Sequence, residues 1–203
     1  MKDHYRQWRQ VGNKTTRRWI RKGVKFDFTH DPPAPRSAYD SADLISDPMR
    51  FQATRETVLK YKRIGALELV PQSERGKGTY LTFFPVEKKT LGERRGCLDA
   101  RPVNEALRHE HFKMEGMLTA RQLIRRDDWL TTLDITEAYP HLLLVPEHRQ
   151  FFRLVWEGIH YQYRALCFGV APAPHIFTKI LRPIIQLLRG AGFQHACHTS
   201  TIF

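Results

Sequence analysis

The fifteen residues from Phe151 to Ala165 restrict the fold of this chain more than any other stretch. Phe151 to Trp156 is an apolar, aromatic-rich run. Glu157 and Gly158 make a two-residue turn, and Ile159 to Ala165 alternates strictly between apolar and polar positions. Alternation with period two places one set of side chains on a buried face, and a two-residue turn returns the chain antiparallel to itself. The spacing therefore predicts a hairpin, and any fold must supply a core for one of its faces.

Helical spacing flanks that hairpin. Thr57, Val58, Tyr61 and Ile64 predict a helix over about 50 to 64 that stops at Gly65. Ile176, Phe177, Ile180, Leu181 and Ile184 predict a buried helix over about 175 to 189, with Pro183 expected to kink it. A shorter helix is expected from Met117 to Arg126. Tyr80 to Val86 and Gly96 to Ala100 read as strands joined by the basic turn Lys88 to Arg95, with Gly76 and Gly78 making a loop before them; His141 to Val145 reads as a further strand. In the segment Leu130 to Tyr139, Leu133 and Ile135 alternate with Thr132, Asp134 and Thr136. That pattern predicts a strand anchored by one face and carrying the Asp134 carboxylate on the other.

Charge and composition narrow the partners. Thirty-three Lys and Arg against twenty-one Asp and Glu leave a net +12, which attracts phosphate backbones. Nine of those cations fall within residues 1 to 30, interspersed with Trp8, Trp19, Phe26 and Phe28. Such a mixture suits a segment that rides on nucleic acid, and equally an arm whose rings dock on the main body. Asp31 to Ala38 is proline-rich and reads as a linker. Cys97, Cys167 and Cys197 are odd in number and lack C-x-x-C spacing, so neither a disulfide framework nor a zinc site is expected, His195 and His198 notwithstanding. No apolar run approaches the length of a membrane span or a signal sequence, and an intracellular protein without membrane insertion is expected.

Three local patterns occur in order: Arg95-x-Cys-Leu-Asp99-x-Arg101-x-x-Asn104, Asp134-x-x-x-Ala-Tyr139, and Leu166-x-Phe-Gly169-x-x-Pro-x-Pro174-x-x-Phe177. Together they resemble a reverse transcriptase, over about Leu59 to Phe193. Within that family the wording is most similar to tyrosine-recombinase retrotransposons of the DIRS type, through Phe152-Arg-Leu-Val-Trp-Glu-Gly158 and Phe177-Thr-Lys-Ile-Leu-Arg-Pro183. The resemblance implies an α+β fold, the fingers and part of the palm of a right-hand polymerase, with an incomplete ferredoxin-like palm sheet packed on helices. It divides the chain into a basic arm and linker (1–49), a fingers-like region (50–116), a partial palm (117–193) and an atypical tail (194–203).

The resemblance also implies roles. Extending a nucleic acid generates charge that two Mg2+ ions held by carboxylates neutralise. Asp134 matches the first metal-binding Asp, and the Ile135 carbonyl would add a ligand. Lys88 and Arg95 match the fingers residues that grip an incoming dNTP, a mobile point charge and a bidentate fork on one polyanion; a solvated charged turn is the alternative. Tyr139 matches the aromatic gate that rejects a 2′-hydroxyl, with a core tyrosine as the alternative. Phe168 would touch base or sugar, and Gly169 permits close backbone approach. Asp99, Arg101 and Asn104 would contact template or brace the fingers, with bracing preferred. RNA or DNA template-primer is the implied partner.

The pattern also departs from the family. Cys167 stands where Pro is usual, and Pro140 where an aromatic commonly follows the gate. The sequence to Phe203 has no Tyr-x-Asp-Asp turn, and the resemblance implies a fragment without two metal-binding Asp and the thumb. Codons for His198 to Phe203, read from the third base of the first, permit Tyr-Leu-Asp-Asp-Ile, and an out-of-frame tail is expected. Two missing carboxylates would slow the chemistry by roughly a thousandfold or more. The expected protein is a catalytically inactive polymerase fragment; the rival reading is a basic nucleic-acid-binding fragment with no catalytic role, and a third is an unrelated structural domain.

Overall fold

The computed structural model describes residues 1–31, 36–87, 94–108, 110, 112, 121–129 and 131–193, without the side chains of Lys2, Glu87, Arg94 and Arg95. The chain opens with two short helices, α1 (Tyr5–Val11) and α2 (Lys14–Lys22). Asn13 caps α2 by accepting the Thr16 N–H at 2.9 Å, one of the donors a helix start leaves unsatisfied. α3 (Pro48–Arg63) begins on an equivalent device, Asp47 accepting the Met49 N–H at 3.0 Å with Pro48 in the first turn. It ends where expected, just before Gly65. Its buried residues Thr54, Thr57, Val58 and Tyr61 follow helical spacing.

Two antiparallel sheets follow. β1 (Leu67–Leu69), β4 (Arg153–Trp156) and β5 (Ile159–Tyr163) form a three-stranded sheet with β5 in the centre. The expected hairpin is its heart: Trp156 pairs with Ile159 and Arg153 with Gln162. Glu157 and Gly158 both adopt positive φ, +48° and +71°, as a tight hairpin turn matching strand twist requires. β2 (Phe83–Glu87) pairs with β3 (Arg94–Leu98). This second hairpin was expected as well, with boundaries shifted by one to three residues. Asp99 N–H turns to the Thr82 carbonyl, and Ala100 already starts α4 (Arg101–Asn104). α5 (Ala173–Gly190) then runs unbroken across Pro183.

One hydrophobic core unites these parts. Val24 and Phe26, Val58, Leu98, Leu154 and Ile180 belong to the same buried cluster. Trp8, Trp19 and Phe28 pack against it. The aromatic residues of the first thirty positions are thus docked on the main body.

Three expected elements differ. The strand from Leu130 to Tyr139 is not formed: 131–135 adopt no regular structure, Leu133 is 89% exposed and Ile135 38%. A lone alternating segment has no ladder to hold it, and among the described residues none pairs with it. The strand at 141–145 is reduced to single bridges, because Leu143 pairs with Ala165 while Leu144 pairs with Val24 on the other side. Of the helix expected over 117–126, a helical turn at 121–123 is present, and 113–120 lie outside the described residues.

Candidate nucleotide and template site

The three sequence patterns meet at the loop 166–171. Gly169, exposed with φ +101°, passes so close to β3 that a Cβ there would lie 2.1 Å from the Leu98 carbonyl oxygen. Both the dihedral and the clearance demand glycine. Cys97 bridges Phe168, so the loop is laid along β3. From α4, Asn104 Nδ2 donates to the Gly169 carbonyl at 2.9 Å, and its Oδ1 accepts the Ala171 N–H at 2.9 Å. The Asn of the first pattern therefore fixes the loop of the third.

The second pattern arrives through Tyr139. Its ring centroid lies 4.7 Å from Phe168 and 5.8 Å from Phe177, and only 4% of the residue is exposed. Phe168 is half-buried and stands in front of it. A gate that touches a sugar needs an accessible ring, whereas here Phe168 and Gly169 offer the accessible surface and Tyr139 backs them. Asp99 and Arg101 form a pair beside them, with Arg101 Nε and Nη2 donating at 2.7 and 2.6 Å to the two carboxylate oxygens. The Arg101 hydrogen bonds hold the Asp99 carboxyl below its ordinary pKa.

The carboxylate expected to carry the chemistry sits differently. Asp134 is exposed on the irregular segment 131–135. Lys88 lies outside the described residues, and of Arg95 only the backbone, paired with Val86, is described. Magnesium requires near-octahedral oxygen coordination, of which a single exposed carboxylate supplies little. Among the described residues, no group of three His, Cys, Asp or Glu is placed to hold a metal ion. The residues described therefore do not fit a Mg2+ site, and Ile135 adds only a backbone carbonyl to one acid.

Two polar arrangements escaped sequence reasoning. Glu137, at φ +50°, turns its carboxylate inward to the Lys60 ammonium of α3 at 2.5 Å. Burial, reinforced by the Glu137 charge, pushes the neighbouring Tyr61 hydroxyl well above its ordinary pKa. An acid two residues before the motif tyrosine was the available signal. Second, Arg153 is 1% exposed, the largest fully buried side chain described. It donates to the Glu74 and Lys77 carbonyls at 2.8 and 2.7 Å, to Gln162 Oε1 at 3.1 Å, and to the Glu74 carboxylate. Nothing in the strand pattern distinguishes such an arginine from a solvated one.

No protein-family model matches the sequence, and neither does any curated protein. Among solved structures, a foamy viral protease-reverse transcriptase in complex with double-stranded DNA is similar, with a TM-score of 0.61 at 16% identity. The alignment covers 92% of this chain and 35% of that one. The chain therefore has a reverse-transcriptase-like fold and spans about a third of the length of the protein it matches. Among the described residues, no helix is long and apolar enough to cross a membrane.

Proposed function

We propose that this chain is the template- and nucleotide-binding part of an RNA-directed DNA polymerase from a retroelement, similar to the DIRS type, with fingers and part of a palm. The convergence of Asn104, Tyr139 and Phe168–Gly169 on one loop carries the reading, since it brings residues of the three patterns that resemble a reverse transcriptase to one place. The likeness in fold to a polymerase solved on double-stranded DNA supports it. In this reading Phe168 and Gly169 line the nucleotide pocket with Tyr139 behind them, and Lys88 and Arg95 neutralise the triphosphate. Asp99 and Arg101 stand at the template side, and Asn104 braces the loop. By its resemblance Asp134 matches the first metal-binding acid, and the described residues assemble no ligand set around it.

The 203-residue polypeptide accordingly binds template-primer and dNTP without joining them. A primer-extension assay paired with filter binding tests this. Salt-sensitive retention of template-primer with no extension is expected. Extension in the presence of Mg2+ refutes the non-catalytic part, and absence of any retention refutes the polymerase reading altogether. Protection of Phe168 by dNTP in a hydrogen-exchange measurement separates a polymerase fragment from a basic binder that never held a nucleotide.

A further inference from the structure

The first thirty residues hold nine Lys and Arg against two Asp, and the structure sorts them from the aromatics with which they are mixed. On α2, Thr16 and Ile20 are buried, while Lys14, Arg18, Arg21 and Lys22 are exposed. At about 100° per residue these four share one face, opposite the buried pair. On α1, Arg6 and Arg9 are exposed three residues apart, while Tyr5 and Trp8 pack inward against the core. Arg21 lies 6.0 Å over the Tyr5 ring, which ties the two helices together. Lys25, three residues beyond the end of α2, is exposed. Among the described residues, Arg6, Arg9, Lys14, Arg18, Lys22 and Lys25 make no ion pair and no side-chain hydrogen bond. The other side of α2 rests on α5, where the Thr16 hydroxyl approaches the Lys179 carbonyl at 3.5 Å.

We infer that this outer face of α1 and α2 is a second nucleic-acid contact, one that grips the phosphate backbone of a duplex without reading its bases. It rests on the polymerase reading for the identity of the polyanion. Unneutralised cations on a rigid, core-backed surface release counterions when they meet phosphates. The rings that would stack on unpaired bases are committed to the core, so the face offers charge alone. Binding through it is therefore indifferent to sequence and suited to a continuous double helix, whose phosphates stay in register with a rigid stripe.

The test compares salt titrations of the full chain on two short DNA duplexes of unrelated sequence. In R6Q/K14Q/R18Q/K22Q the slope of log affinity against log salt is expected to fall by about three to four, on both duplexes alike. A control that removes as many exposed cations elsewhere, R50Q/K62Q/R63Q/R75Q, is expected to change it far less, and R6K/R9K/R18K to leave it intact. Equal losses in the two glutamine variants overturn the inference and reduce the effect to net charge. An unchanged slope in the first variant overturns it while leaving the polymerase reading in place. Wild-type protein that binds neither duplex removes that reading and this surface together. Loss of binding to phosphatidylserine vesicles with duplex binding unaffected assigns the face to a membrane instead.

Discussion

Asn104 clamps the loop at Gly169 from both sides, donating to its carbonyl at 2.9 Å while accepting the Ala171 N–H at the same distance. Replacing Asn104 by Ala removes both bonds and is expected to destabilise the protein by about 1–3 kcal/mol. Asn104→Asp retains the acceptor but cannot donate, so it should lose part of that stability and none of the acceptance from Ala171. Urea unfolding of the two variants reads the difference, and equal stability of wild type and N104A would show that the clamp is incidental.

Gly169→Ala should be more damaging than its size suggests. The added methyl meets the Leu98 carbonyl oxygen at 2.1 Å, and the backbone sits at φ +101°. A cost of about 2–4 kcal/mol is expected from the combined strain and displacement. Gly158→Ala provides the contrast, since φ is positive there too but nothing lies within 4 Å. Strain alone predicts about 1 kcal/mol at that turn. If thermal melts rank the two variants the other way, the close approach of the loop to β3 is misassigned.

Arg153→Met should unfold the loop before β2 along with β4. It strips the Glu74 and Lys77 carbonyls and Gln162 of the donor that a fully buried side chain supplies. Glu74 is half exposed and stays solvated, so the loss is that of the donor to the neutral acceptors, about 1–3 kcal/mol. Arg153→Lys keeps the charge but not the fork, and should recover only part of the loss. Limited proteolysis between residues 72 and 79 reports the local opening; resistance equal to wild type would contradict the role of this residue.

Histidine titration gives a pH dependence with a defined sign. The Phe26 N–H donates to His148 Nδ1 at 3.1 Å, so that nitrogen must be unprotonated. Burial first, and then the Lys25 charge, lower the His148 pKa, with Glu147 and Asp27 pulling weakly the other way. Burial lowers His160 and His175 as well. The unfolded chain therefore takes up protons that the folded protein resists. Stability is full above the unfolded histidine value of about 6.5 and falls as pH drops through it toward the folded pKa values. The melting temperature should decline between about pH 7.5 and 5.5, and His148→Gln, whose amide oxygen still accepts from Phe26, should flatten part of that decline. An identical profile in H148Q would remove His148 from the account.

Sequence alone revealed those parts of the fold that are locally encoded. Gly65 ends α3, and Glu157–Gly158 between two apolar runs delimits the central hairpin. The failure at Asp134 has a physical source: alternation supplies one face of a strand, but a strand exists only when neighbours accept its hydrogen bonds. Arg153 was opaque for a related reason, whereas Asn104 was legible as a bracing residue but its partner was not. The Glu74 and Lys77 carbonyls lie 79 and 76 residues from Arg153, and Gly169 lies 65 from Asn104, and no local spacing encodes a bond across such separations. Tyr139 was legible as an aromatic beside the motif acid, but its burial behind Phe168 depends on how the 166–171 loop is pinned.

Pro183 has no N–H, and the carbonyl of Lys179 consequently lacks the donor that a regular helix would provide. Thr16 reaches across from the other end of the chain toward that oxygen. An imperfection in one helix thus serves as the mooring point of another. Anyone trimming the first thirty residues as a disposable appendage would strip Val24 and Phe26 from the interior, and should recover an insoluble remnant in place of a smaller folded domain.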